Sequence, residues 1–398
     1  MSKLALVLSG GGSKGSYQVG AYEALKELGF TFDIITNTSV GALNGAIFVQ
    51  GEEAKAYHLW ENIDYDKIVK LDIDKTNIFK IVKEVALNKG LDTSPLENLL
   101  HTYIDESKIR ASQTKFGLVV VKYPSLKSKE LTLDEINEGQ LVDYLLASSS
   151  CFPAFKVKTI DGQKYIDGGY FDNLPINLAV KLGASEVIAI DIGSGLINKK
   201  KKFEGVGVTY IRPRKKLGMF LAFDANVARR NFKYGYNDVL KTFKVAVGLH
   251  FTFIDEICYQ EIKSLFISHA DLVLLTQDSN VLNKVNKIEL IKKIYQSDKE
   301  RVFIKSIETI AKIFNMDDGN TYHLDDFNTA LIDKIKLSLK DLDLNKPLNK
   351  LNDKEKTIKF TNKIKETIKN ERTFVLSPLI TLYEEPFLAA LYLSLIVS

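Results

Sequence analysis

Cysteine is almost missing from this chain of 398 residues; the two present are Cys151 and Cys258. Two such residues form no disulfide framework and no metal-ligand spacing. Their scarcity fits a reducing compartment. Long apolar runs are also missing. The longest, 387–397, is interrupted by Ser394 and falls short of the ~20 residues a membrane-spanning helix needs. The N-terminus lacks a signal-peptide pattern, because the apolar run 4–8 ends in glycines. The expected location is therefore cytoplasmic, with any membrane contact made peripherally, from the surface. Charge of one sign is missing too. A net charge of +4 is too small to indicate nucleic acid as a partner. What remains is an ordinary soluble composition, 45% apolar and 26% charged, long enough for about two domains.

Hydrophobic patterning gives the coarse architecture. Residues 4–8 are a continuous apolar run, which suits a strand buried on both faces. A glycine-rich turn follows, then a helical pattern over 16–28. A short strand over 32–36 and a small, apolar helix over 40–49 complete a βαβα unit, the mark of an α/β layered fold. Helices are expected over 54–63 and 78–87, and one starts near Pro95. Strands are expected over 115–122, 129–132, 165–166, 186–191 and 207–212, and helices over 141–147 and 178–182. Between Gly195 and Val245 thirteen Lys and Arg face three acids, Glu204, Asp224 and Asp238. Such a run is either a solvated loop or a patch for anionic headgroups, each basic residue adding about 1 kcal/mol. Beyond Asp255 glycine nearly vanishes and amphipathic helical patterns take over. They place Phe303, Ile307, Ile310 and Phe314 on one face. Phe327, Leu331, Ile335 and Leu342 share another, and Ile358, Ile364 and Ile368 a third. The expected domains are 1–250 and a mainly α-helical region, 251–398.

Three pieces carry chemistry. The turn Gly10-Gly11-Gly12-Ser13-Lys14-Gly15 matches the dinucleotide-binding spacing. The acid that should follow, Asp33, begins the second strand rather than ending it. The other use of such a turn is an oxyanion hole, with converging backbone N–H groups and the positive end of a helix. Losing one such donor costs about 2.7–4 kcal/mol in a hydrolase. The second piece, Asn37-Thr38-Ser39-Val40-Gly41, sets a serine on a strand-to-helix turn, the shape of a nucleophile elbow. Taken alone, Ser39 reads first as a simple N-cap of the helix beginning at Val40. Asn37 stands where a glycine is expected, and its Cβ has to be accommodated. The third piece is Asp167-Gly168-Gly169. Its aspartate ends a short strand and can serve as base for a serine, or simply as a turn residue. None of the histidines, His58, His101, His250, His269 and His323, lies in a glycine turn or at a strand end.

Together and in this order these pieces resemble the patatin-like phospholipase family. The resemblance runs through the 10–15 turn, Thr38-Ser39-Val40-Gly41-Ala42-Leu43-Asn44-Gly45, Ala147-Ser148, Phe152-Pro153-Ala154-Phe155, Asp167-Gly168-Gly169 and Asn173-Leu174-Pro175-Ile176. Gly235-Tyr236-Asn237-Asp238 is similar to a late family element. The resemblance covers roughly 1–245. It implies a three-layer α/β/α fold with a mostly parallel central sheet, followed here by a C-terminal α-helical region. It also implies a Ser39–Asp167 dyad without histidine, and an oxyanion site on Gly11 and Gly12. Lys14 takes the family's basic position. The implied reaction is hydrolysis of phospholipid or other lipid esters, of phospholipase A or lysophospholipase type, with no metal and no cofactor. The alternative is a weak or inactive lipid- or partner-binding protein, because of Asn37.

Overall fold

The computed structural model describes residues 2–70, 90–193, 203, 205–275, 298–340, 342–370 and 383–397. The helix expected over 78–87 and the lysines 199–202 lie outside these. The chain divides into two compact units, Met1–Thr242 and Phe243–Ser398. The division comes a little before residue 250, because Ala246–Val247 pairs with Thr252–Ile254 of the second unit.

The first unit is built on one sheet with helices on both sides. Its strands are β1 (Leu4–Leu8), β2 (Ile34–Asn37), β3 (Lys115–Tyr123), β4 (Ser128–Thr132), β5 (Lys158–Ile160), β6 (Gln163–Asp167), β7 (Glu186–Ile190) and β8 (Gly207–Ile211). Their order is β5-β6-β3-β2-β1-β7-β8, with β4 also paired to β3. The pairs β3–β2, β2–β1, β1–β7 and β7–β8 are parallel; β4, β5 and β6 add antiparallel pairs. The central strands are buried on both faces, as their unbroken apolar sequences require. The second strand ends at Asn37, one residue beyond the expected limit, and so leads directly into the turn at Ser39.

Small residues let two helices touch backbone to backbone. In Ser16–Glu27 and Ala225–Thr242, Gly20 and Gly235 face each other's helices. A Cβ on Gly20 would stand 1.9 Å from the Phe232 carbonyl oxygen, and one on Gly235 would stand 1.9 Å from that of Tyr17. The contact also joins the Tyr17 hydroxyl to Asp238, 2.8 Å away. This is a structural use for the Gly235–Asp238 sequence.

In the second unit the expected apolar faces of Lys299–Ile313 and Leu324–Leu339 are buried. Ile358 and Ile364 of Asp353–Lys369 are buried as well, whereas Ile368, in the last turn of that helix, is exposed. Leu342 lies past the end of its helix and packs at the rim of the core. The apolar stretch near the C-terminus is Glu384–Ile396, the most enclosed helix of this unit, with Phe387 to Leu393 buried. No described helix is long and apolar enough to cross a membrane. A small three-stranded sheet of β9 (Ala246–Val247), β10 (Thr252–Ile254) and β11 (Thr321–Tyr322) places two of its strands, β10 and β11, in the region expected to be mainly helical. Its strands are too short to leave a periodic pattern.

Candidate functional site

Strand β3 sets the register of the site. Asn37 pairs with Leu118 and Asp167 with Val120 on the same edge of β3, since β4 pairs with both of those residues on the opposite edge. Two residues beyond Asn37 comes Ser39, next to Asp167. The chain turns sharply there: Ser39 has φ 57 and ψ −130. A non-glycine residue in that region holds about 1–3 kcal/mol of strain. It stands at the N-cap of Val40–Val49, but its side chain makes no capping bond. Instead the Ser39 hydroxyl donates to Asp167 Oδ2 at 2.6 Å. Both residues are buried.

Asp167 also serves its own turn, since Oδ1 accepts the Gly169 N–H at 2.7 Å. Burial pushes its carboxyl up to about 6, against the lowering effect of the Ser39 hydroxyl and the Gly169 amide. The group is thus ionised at neutral pH yet more basic than an ordinary carboxylate, which suits a general base. Gly168 is needed for fit, as a Cβ would lie 2.2 Å from the Val119 carbonyl oxygen.

The glycine-rich turn lies against Ser39. A Cβ on Gly10 would come within 2.9 Å of the Ser39 Cβ. Not all six turn residues are equivalent. Gly10 N–H donates to the Asn173 carbonyl, Ser13 N–H to the Phe220 carbonyl, and Lys14 N–H to the Gly11 carbonyl. Gly15 continues the 3₁₀ turn. Among the described residues the Gly11 and Gly12 N–H groups have no backbone acceptor, which leaves them as donors for an incoming negative charge. Gly12 has φ +57, and a Cβ there would meet the Phe220 carbonyl oxygen at 2.3 Å. Only glycine fits both demands.

A buried polar network, unanticipated from the sequence, holds this turn. Gln18 donates to the Ser9 carbonyl at 2.7 Å. Asn44 donates to the Gly15 carbonyl and to Gln18, both at 3.0 Å, and accepts from Trp60 Nε1 at 3.0 Å. The residues after Asp167 tie the pieces together. Thr38 Oγ1 donates to the Asp172 carbonyl at 2.8 Å, and Thr36 Oγ1 to the Pro175 carbonyl at 2.9 Å. Ser148 accepts the Ser39 N–H at 2.9 Å. In the sequence it is marked by the Ala147-Ser148 piece of the resemblance, which gives it no role.

Asn37 is accommodated by a second glycine. Its backbone is not among the positive-φ residues, so no glycine is required there for conformation. Its amide donates to the Gly117 carbonyl at 3.0 Å. Its Oδ1 lies where a Cβ on Gly45 would be, 2.0 Å away. Gly41 makes the close approach expected of it, with the Leu8 carbonyl oxygen 2.6 Å from a built Cβ.

Rival residues are placed elsewhere. Asp33 accepts the Leu4 N–H at 2.9 Å, at the opposite end of β1 from the glycine turn. His58 and His101 are exposed. His250, His269 and His323 belong to the second unit, where His269 meets Ser394 at 2.8 Å and His323 meets Glu256 at 2.9 Å. Cys151 is held as a thiol by burial and by the charge of Asp167. Three basic residues of the stretch have partners while staying at the surface: Arg212 pairs with Asp191 at 3.0 Å, Arg214 with Asp238 at 3.6 Å, and Lys215 lies 4.4 Å over the Tyr234 ring.

The family model described as Patatin-like phospholipase matches residues 6–180, a span that contains the glycine-rich turn, Ser39 and Asp167. Patatin-like phospholipase domain-containing protein 7 of Rattus norvegicus is 30% identical over 203 residues, covering 48% of this chain and 14% of that protein. Lysophospholipase NTE1 of Candida albicans is 29% identical over 198 residues, covering 48% of this chain and 13% of that protein. The chain therefore spans about one-seventh of the length of these curated relatives. A crystal structure of VipD from Legionella pneumophila superimposes with a TM-score of 0.39 at 13% identity, covering 100% of this chain and 92% of that one.

Proposed function

Residues 6–180 of this chain belong to the patatin-like phospholipase family, and from that premise we propose that it is a lipid acyl hydrolase of phospholipase A or lysophospholipase type. The observation that carries the reading is the 2.6 Å bond from Ser39 to Asp167, beside two unengaged glycine amides. Ser39 Oγ attacks the ester carbonyl carbon, and Asp167 takes the hydroxyl proton. The carbonyl oxygen becomes an oxyanion held by Gly11 and Gly12 N–H, where fixed donors in a dry site stabilise growing charge. Asp167 returns the proton to the leaving alcohol oxygen as the C–O bond breaks, leaving an acyl-serine. Water then attacks the acyl carbon, giving a proton to Asp167, which hands it to Ser39 as the carboxylic acid leaves.

A Ser39→Ala variant is expected to lose both hydrolysis of lipid esters and labelling by a fluorophosphonate probe. Equal labelling of the variant and the natural chain would remove Ser39 from the mechanism. The base must be ionised, so kcat/KM is expected to fall as pH drops through about 6. A profile flat down to pH 4 would exclude Asp167 as the base. The weak or inactive alternative rested on Asn37; the room left by Gly45 removes the steric reason for a damaged elbow. Contact with an anionic membrane surface remains part of this proposal, at the exposed basic residues of the 195–245 stretch such as Lys216.

A further inference from the structure

We infer that Ser148 is a positioning residue for the nucleophile, holding the strained elbow at Ser39 so that its hydroxyl stays on Asp167. The inference rests on the reading of Ser39 and Asp167 as nucleophile and base. Ser148 is the last residue of the helix Leu141–Ser148 and is fully buried. Its hydroxyl forms a bridge of two bonds. It accepts the Ser39 N–H at 2.9 Å and donates to the Val119 carbonyl at 2.8 Å. Val119 lies on β3, the strand that also registers Asn37 and Asp167. One side chain thus fastens the turn apex to the strand that aligns both reacting groups.

A hydroxyl is needed there for a chemical reason. The bridge takes one hydrogen bond in and passes one out, between an N–H and a C=O. Alanine does neither: it would strip the buried Ser39 N–H of its acceptor and take one donor from the Val119 carbonyl. A nucleophile elbow is also unusually dependent on such a brace. Ser39 has a positive φ without being glycine, and strained backbone persists only where its surroundings hold it. Once the brace is gone, the apex can relax and carry Oγ away from Asp167. The next serine offers a built-in comparison. Ser149 is also buried, though less completely, and its hydroxyl bonds to its own helix, at the Leu145 and Leu146 carbonyls, both at 3.1 Å.

The test is the pH profile of lipid-ester hydrolysis by the full chain, for Ser148→Ala, Ser148→Thr, Ser148→Cys and Ser149→Ala. Misplacing a nucleophile by a fraction of an ångström to one ångström costs up to about 100-fold. Ser148→Ala is expected to lower kcat by about 10- to 100-fold with KM little changed. It is also expected to move the acidic limb upward, because the Ser39 hydroxyl bond that holds the Asp167 carboxyl down is weakened. Ser149→Ala is expected to keep the limb and the rate even if it loses some thermal stability. If Ser148→Ala does not fold, the other two substitutions decide. Threonine keeps the oxygen and should keep the natural limb; cysteine, a weak donor and acceptor, should shift limb and rate together. An unmoved limb in Ser148→Ala, or in Ser148→Cys, overturns the inference. Loss of activity in Ser39→Ala alongside an unmoved limb overturns this inference alone. Full activity in Ser39→Ala overturns the reading beneath it.

Discussion

Asp167→Asn is expected to abolish turnover while making the first unit more stable at neutral pH. The loss of activity follows from the proposed role: an amide cannot take the Ser39 proton, and general-base catalysis contributes about 10²- to 10⁴-fold. The gain in stability follows from the raised carboxyl. Burial lifts Asp167 from 3.8 to about 6, so the folded state holds the proton more tightly than the unfolded chain does. Below the unfolded value both states are protonated and the carboxyl carries no penalty. Between about 4 and 6 the unfolded chain ionises first, and the penalty grows. Above about 6 it is complete, on the order of 2–3 kcal/mol. Asparagine can still accept from Gly169 N–H and can offer a donor to Ser39, without carrying the charge. Thermal unfolding should therefore show a higher Tm for Asp167→Asn at pH 8 and none of that advantage at pH 4. Equal Tm at pH 8, or preserved hydrolysis, would count against the buried-base reading.

Gly45→Ala is expected to damage the elbow more than any exchange at Asn37 itself. The new Cβ would stand 2.0 Å from Asn37 Oδ1 and 2.7 Å from Cγ. Asn37 cannot swing away, because it is buried and tied to the Gly117 carbonyl. The helix Val40–Val49 must then shift, and Ser39 lies at its first turn. Overpacking of this kind costs about 1–3 kcal/mol, and the displaced nucleophile up to about 100-fold in kcat. Asn37→Gly alone removes a buried hydrogen bond and leaves a void, with a loss of about 1–3 kcal/mol and no gain in rate. The double variant Asn37→Gly with Gly45→Ala moves the glycine to the other partner and relieves the clash. Its stability should exceed that of Gly45→Ala alone, a coupling expected only of touching residues. Strict additivity in a double-mutant cycle would show that the two positions do not share this space.

These two pairs mark where the amino-acid sequence was readable. Residues 4–8 announced a buried parallel strand because an apolar run with a glycine turn after it has few other uses. Ser39 was placed on its turn because a strand pattern stops and a small-residue helix starts on either side of it. Asp167 was selected by its glycine neighbours. The doubt over Asn37 came from reading the elbow as five consecutive residues, whereas the space it needs is supplied by Gly45, a turn and a half into the following helix. The short strands β9 to β11 were missed because two or three residues carry no period.

By itself, then, the sequence determined the order of the layers and the residue types available for chemistry, since strand and helix periods and glycine turns are local properties. Tertiary structure decided what meets what. Ser39 and Asp167 lie far apart in the chain and meet because both are registered on β3. The resemblance pointed to Gly11 and Gly12, but only the fold shows that the Gly10, Ser13 and Lys14 amides are spent on Asn173, Phe220 and the turn itself. Ser148 became a brace only because Val119 and the Ser39 amide stand on either side of it. Hydrogen-bond partners separated by a hundred residues are set by strand pairing, and a single sequence holds no local record of them.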